Sequence, residues 1–170
     1  MQIYTQEALA TQLQKIFAGH RPRVIYDVTD KGENIMEFLI ENPHNPRFSI
    51  VFQAQGRHQQ VDVCTLRFGQ AEIKGMMEPE MVPSAITTIL NDELVAIVQY
   101  KNDEAYDNRR SIPNLEWLYQ LTDDEDDDST ALEKMKQKLS APPSFFDKLR
   151  GNMIGIFEIF SWSSSEIIKR

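Results

Sequence analysis

The chain has 170 residues, of which 41% are hydrophobic, and a net charge of −8. This length and hydrophobic content fit one folded domain and exclude wholesale disorder. The negative charge argues against binding to the DNA or RNA backbone and suits a basic partner. The chain has no apolar stretch of the ~18 residues that span a membrane and does not begin with a signal peptide. It is therefore predicted to be cytoplasmic.

The chain begins with a pattern typical of a capped helix. Thr5 is a suitable N-cap, and Glu7 lies in the first turn, near the positive end of the helix dipole. Gly19 and Pro22 indicate where this helix has ended. One apolar face is formed by Leu9, Leu13, Ile16 and Phe17.

Strand patterns dominate the rest of the chain. Short turns separate four successive strands at 23–28, 35–40, 48–54 and 60–68, which favours antiparallel pairing. The strand at 35–40 is nearly all apolar, so it is expected to be covered on both faces. A further strand is predicted at 94–100 and should be central. Two more strands are predicted at 115–121 and at 154–162, and the last of them extends no further than residue 168.

Three more helices are predicted, beginning at Pro83, Thr130 and Ser144. Together the patterns predict an α+β fold. It contains one antiparallel meander sheet of about six to seven strands, with the N-terminal helix and the further helices packed on one face. We expect a single domain over 1–170 with one core, and an acidic flexible loop at 122–130.

The acidic loop holds the most distinctive feature of the sequence, six consecutive acids at 123–128. Without them the chain would have 20 acidic and 18 basic residues, a net charge of −2. A calcium-binding EF-hand loop needs Gly at its sixth position and Glu at its twelfth, where this chain has Ser129 and Met135. The run is therefore either a solvated loop or a docking element for a basic surface. No metal or cofactor is predicted.

Known catalytic patterns are missing from the sequence. It contains neither a glycine-rich nucleotide-binding fingerprint nor a G-x-S-x-G nucleophile elbow. His20, His44 and His58 lack the spacing of zinc ligands and fit exposed turns. Cys64, the single cysteine, lies within a predicted strand and is interpreted as a small buried residue rather than a nucleophile. The chain is therefore predicted not to be an enzyme.

The meander at 24–68 and the acidic segments at 103–107 and 123–128 give the chain the general character of one class of binding protein. In these features it resembles an immunity protein of a bacterial polymorphic-toxin or contact-dependent inhibition system. The resemblance implies an inhibitor that covers the active site or substrate surface of a cognate toxin domain, often a basic nuclease. Under this hypothesis the partner-binding residues are Asp103, Glu104, Asp107, Asp123, Asp124, Glu125, Asp126, Asp127 and Asp128.

Two alternatives stay open. The order of helix and strands over 5–54 loosely resembles an acidic secretion chaperone, which implies an apolar binding face and usually a dimer. The other alternative is an enzyme, for which Cys64, His58 and Asp62 are the first residues to test. Neither the partner's identity, the oligomeric state nor the strand order follows from the sequence.

Overall fold

The computed structural model describes residues 4–69, 71–72, 77–100, 115–120, 129–142 and 155–170. Contacts within the chain divide it into two compact units, Met1–Thr87 (unit 1) and Thr88–Arg170 (unit 2). The single domain over 1–170 stays a prediction. Among the described residues no helix is long and apolar enough to cross a membrane.

Unit 1 begins with helix α1, Gln6–Ile16, which is followed by a five-stranded antiparallel sheet. Thr5 is the N-cap of α1, as predicted, and its side chain accepts a hydrogen bond from the N–H of Ala8. The strands pair in chain order, so β1 lies at one edge of the sheet. They are β1 Arg23–Val28, β2 Asn34–Ile40, β3 Ile50–Gly56, β4 Val63–Phe68 and β5 Ala71–Glu72.

One face of this sheet forms the core of unit 1. Met36, Phe38 and Phe52 are fully buried on it. The ring of Phe17 packs on that of Phe38, with 6.3 Å between the ring centroids. On β2 the residues that alternate with these are only half-buried. The expectation that this strand is covered on both faces is therefore wrong, because its second face is partly exposed to solvent.

Helix α2, Val82–Leu90, crosses the boundary between the units, and its start agrees with the predicted Pro83. Unit 2 contains a four-stranded antiparallel sheet in the order β7-β6-β8-β9. Strand β6 is central and almost entirely buried, as predicted. The elements of this unit are β6 Leu94–Tyr100, β7 Leu115–Gln120, α3 Ala131–Ser140, β8 Ile156–Phe160 and β9 Ser165–Lys169.

Unit 2 has a buried apolar cluster of its own, formed by α3 and the sheet. Thr130 and Glu133 form the predicted capping box at the start of α3. On β8, the buried Glu158 accepts a hydrogen bond of 2.9 Å from the hydroxyl of Tyr100. The cluster consists of Val95, Ile97, Ala131, Met135, Leu139, Phe157, Ile159 and Ile168.

The structure confirms the α+β class and the antiparallel pairing, but the prediction of one meander of six to seven strands is wrong. The strands form two sheets, and only the first pairs in chain order. The last predicted strand is in fact the hairpin of β8 and β9. Its turn is held by Ser161, whose N–H donates to the carbonyl of Ser164. The predicted helix at 144–150 lies outside the described residues.

Candidate protein-binding surface

An open groove of about 490 Å³ lies on unit 1 between the start of α1, the end of β1 and the start of β2. Its apolar lining includes Tyr26, Val28 and Ile35, and Glu7 and Asp27 add two carboxylates. No lysine, arginine or histidine is among the lining residues that the structure describes. We call this the acidic groove. It is lined by Gln6, Glu7, Tyr26, Asp27, Val28, Asn34, Ile35 and Gln59.

Gln6 anchors one end of the acidic groove. Its side chain is only 2% exposed. Its Nε2 donates hydrogen bonds to the carbonyls of Asn34, at 2.9 Å, and Ala54, at 3.0 Å. The start of α1 is thereby joined to two neighbouring strands, and the next residue, the exposed Glu7, is held at the rim of the groove.

The loop between β3 and β4 fixes the same region from another side. The N–H of Gln6 donates to the carbonyl of Gln59, and the N–H of Val61 donates to that of Tyr4. His58 and Gln59 adopt left-handed backbone conformations, with φ of 53° and 63°. The groove is thus built on main-chain hydrogen bonds and does not rest on flexible side chains alone.

The groove continues onto β1, which presents large apolar side chains to solvent. Tyr26 is 57% exposed and Val28 58%, and both lie on one face of the strand beside the groove, whereas Ile25, 49% exposed, lies on the opposite face. Isolated exposed apolar residues are ordinary, whereas a contiguous set beside a groove is typical of an interaction site. The acidic groove and the outer edge of β1 therefore form the candidate protein-binding surface.

The partner-binding residues predicted from the sequence all lie outside the described residues, so the structure neither brings them together nor separates them. The residues of the acidic groove were not predicted from the sequence, although one pattern indicated part of them: four of the five residues from 24 to 28 are apolar. The predicted partner-binding residues that lie outside the described ranges are Asp103, Glu104, Asp107, Asp123, Asp124, Glu125, Asp126, Asp127 and Asp128.

Cys64 is buried on β4, which confirms its interpretation as a small core residue. Burial raises the pKa of the Cys64 thiol to about 11, and Glu78 and Glu80 contribute further. His58 and Asp62 are exposed, and Asp62 accepts a hydrogen bond from the N–H of Arg57. Within the described ranges, no group of three or more His, Cys, Asp or Glu residues is placed to hold a metal ion.

The raised pKa gives a direct prediction for Cys64. At pH 8 the native thiol should react with iodoacetamide on the order of 100-fold more slowly than the thiol of the urea-unfolded chain, because so little thiolate is present. Mass spectrometry of samples quenched over time measures both rates. Equal rates in the native and unfolded chain would contradict the buried position.

Comparison of the chain with protein-family models, curated proteins and solved structures finds no match. The function is therefore inferred from the residues of the candidate protein-binding surface.

Proposed function

We propose that this chain is a protein-binding inhibitor, an immunity protein that neutralises a basic toxin domain, and that it acts in the cytoplasm. The observation that carries the proposal is the acidic groove, where Glu7 and Asp27 lie beside apolar side chains and none of the described lining residues is basic. A lysine or arginine of a partner would find a carboxylate for its charge there, and an apolar wall for its aliphatic stem.

The charge of the whole chain supports the same partner chemistry. A net charge of −8 attracts a basic domain over distances longer than any single contact and raises the association rate at low salt. The acidic run at 123–128 supplies most of this excess. In our proposal the run guides the partner toward the chain, and the groove contacts it.

The exposed apolar residues of β1 also favour the second candidate, a secretion chaperone, because such a protein binds an unfolded or extended partner through an apolar surface. The two candidates differ in the state of the bound partner, which is a folded domain for the inhibitor and an unfolded segment for the chaperone. The buried thiol of Cys64, with its raised pKa, weighs against the enzyme alternative.

The test uses the domain encoded directly upstream of this chain's gene, where an immunity gene follows its toxin. We expect one-to-one binding by isothermal titration calorimetry, loss of the toxin's activity in the complex, and an association rate that falls as salt rises. If the upstream product does not bind, the proposed function is wrong. Binding only to its unfolded form would favour the chaperone.

Charge variants locate the contact. The double variant Glu7→Gln/Asp27→Asn should weaken binding about tenfold, as expected for loss of about 1.4 kcal/mol of interaction. The matched control Glu78→Gln/Glu93→Gln removes two exposed charges outside the groove and should change affinity less than threefold. Equal effects of the two double variants would show that only net charge matters.

Neutralising the acidic run at 123–128 tests whether the run guides the partner during association or contacts it in the complex. Replacing Asp123, Asp124, Asp126, Asp127 and Asp128 by Asn should slow association several-fold at low salt while leaving dissociation and thermal stability nearly unchanged. Surface plasmon resonance at two salt concentrations measures both rates. An unaltered association rate would remove the run from the binding process.

A further inference from the structure

Strand β1 lies at the edge of its sheet, and the hydrogen bonds just beyond it show which of its main-chain groups face outward. The N–H of Thr29 donates to the carbonyl of Glu33, at 2.8 Å. Because inward and outward groups alternate along a strand, Ile25 and Asp27 direct their main-chain groups toward β2. Those of Val24, Tyr26 and Val28 point away from the sheet.

One side-chain contact agrees with this assignment. The N–H of Val28 donates to the Oδ1 atom of its neighbour Asp27, at 2.8 Å, and so does not face β2. No described strand pairs with the outer edge of β1. The N–H and C=O groups of Val24 and Tyr26 are therefore positioned to receive another strand.

The residues along this edge do little to block such pairing. Natural proteins protect edge strands with lysines, prolines or bulges. Over residues 24–28 the chain has neither lysine nor proline, and Asp27 is the one charged residue. The main-chain register with β2 is continuous from Arg23 to Val28, without a bulge.

We propose that the partner binds by adding an extended segment, with alternating apolar and basic side chains, to the edge of β1 at Val24 and Tyr26. This rests on the proposed function and specifies its binding mode. Main-chain hydrogen bonds would supply affinity, as in other cases of strand addition, and side-chain contacts would supply specificity. Apolar side chains of the segment contact Tyr26 and Val28, and its basic side chains, which alternate to the opposite face of the strand, contact Asp27.

Charge favours a basic partner over a second copy of this chain at the same edge. A second copy would bring another Glu7 and another Asp27 to a surface that already holds two carboxylates. The one cation within β1 itself, Arg23, is already paired with Glu41 of its own chain. A basic segment brings unpaired cations instead.

The test uses a fluorescein-labelled hexapeptide of alternating lysine and valine as the probe, with the full-length protein and fluorescence anisotropy as the readout. We expect it to bind at least tenfold more tightly than a peptide of alternating glutamate and valine. It should also bind at least tenfold more tightly than the lysine peptide with N-methylated main-chain amides. If N-methylation leaves affinity unchanged, strand addition is wrong.

A proline variant tests the same main-chain contact from the protein side. Val24→Pro removes an outward N–H and leaves the hydrogen bonds to β2 in place, a position where edge strands accept proline. It should weaken peptide binding at least tenfold, whereas the side-chain control Val24→Ala should weaken it less than threefold. Circular dichroism checks that each variant is folded. If Val24→Pro does not fold, binding of the N-methylated peptide to the wild-type protein still decides whether strand addition occurs.

The outcomes separate this inference from the proposed function. If the upstream-encoded domain binds wild type and Val24→Pro equally, the function stands and strand addition is wrong. If that domain fails to bind while the peptide binds as expected, the binding mode stands and the function is wrong. A wild-type dimer that becomes a monomer in Val24→Pro, by light scattering, would assign the edge to a second copy and overturn the proposal.

Discussion

Replacing Gly56 by alanine is expected to lower the free energy of unfolding by about 3 kcal/mol or more. Gly56 ends β3, and a Cβ atom built there would lie 2.0 Å from the carbonyl oxygen of Gln60. Because that oxygen belongs to the main chain, no rotation of a side chain relieves the overlap. The loop over 57–62 must move, and Gln59 would move with it at the acidic groove.

Two other glycines provide matched controls, because they separate lack of space from backbone strain. Gly19→Ala meets nothing within 4 Å and should be neutral or slightly stabilising. Gly32→Ala also has free space, but Gly32 has φ of +75°, so this variant should cost about 1 kcal/mol. Urea unfolding followed by circular dichroism should show the largest loss in the free energy of unfolding for Gly56→Ala, a smaller loss for Gly32→Ala and the smallest for Gly19→Ala. A Gly56→Ala variant as stable as the Gly19 variant would contradict the close packing of this loop.

Local patterns predicted the first sheet well, because its main strands follow one another through short connections. The strand patterns at 23–28, 48–54 and 60–68 depend on contacts between neighbours in the chain. Such contacts produce a regular alternation of apolar and polar residues, which can be recognised directly in the sequence. The helix cap at Thr5 and the capping box at Thr130 are equally local, and both are present.

The second sheet depends on contacts between distant residues, which no local period encodes. Strand β6 pairs with β7 on one side and with β8 on the other. The mostly apolar sequence of β6 indicates a central strand, but it does not identify either neighbour. The turn between β8 and β9 was missed for a related reason: Asp92, far away in the chain, helps to hold it by accepting a hydrogen bond from the N–H of Ser163.

The candidate binding surface was harder to predict than the fold. Strand alternation predicted β1, but edge position is a property of the complete sheet. Tyr26 and Val28 lie in register with core-facing positions of β2, yet they are exposed because they are beyond the cover of α1. Gln6 was missed because glutamine is usually a surface residue, whereas here its amide joins α1 to the sheet.

The largest effect of a polar substitution is expected at Gln6. Gln6→Leu keeps the volume but removes the Nε2 donor from the carbonyls of Asn34 and Ala54, which should cost about 1–3 kcal/mol. Gln6→Glu should cost more, about 3–5 kcal/mol at pH 7, because it places a buried carboxylate against two carbonyl oxygens without a cation.

The two Gln6 variants should also differ in their pH dependence. Burial and the nearby carbonyls raise the folded-state pKa of the introduced carboxyl above its unfolded value of about 4.3. The unfolded chain then binds fewer protons than the folded chain between these two pKa values, so the stability of Gln6→Glu falls as pH rises through that window. Below pH 4.3 the protonated carboxyl donates one hydrogen bond, and the difference from Gln6→Leu should shrink.

Urea unfolding of both variants at pH 4 and pH 7.5, followed by circular dichroism, measures this difference. If the difference in the free energy of unfolding between the two variants does not change with pH, the side chain at position 6 is exposed to water. Glu7→Gln should weaken binding and cost less than about 1 kcal/mol of stability, the contribution of a charge in the first helical turn, whereas Gln6→Leu should cost more stability and also weaken binding, because Gln6 anchors the element that holds Glu7 at the groove.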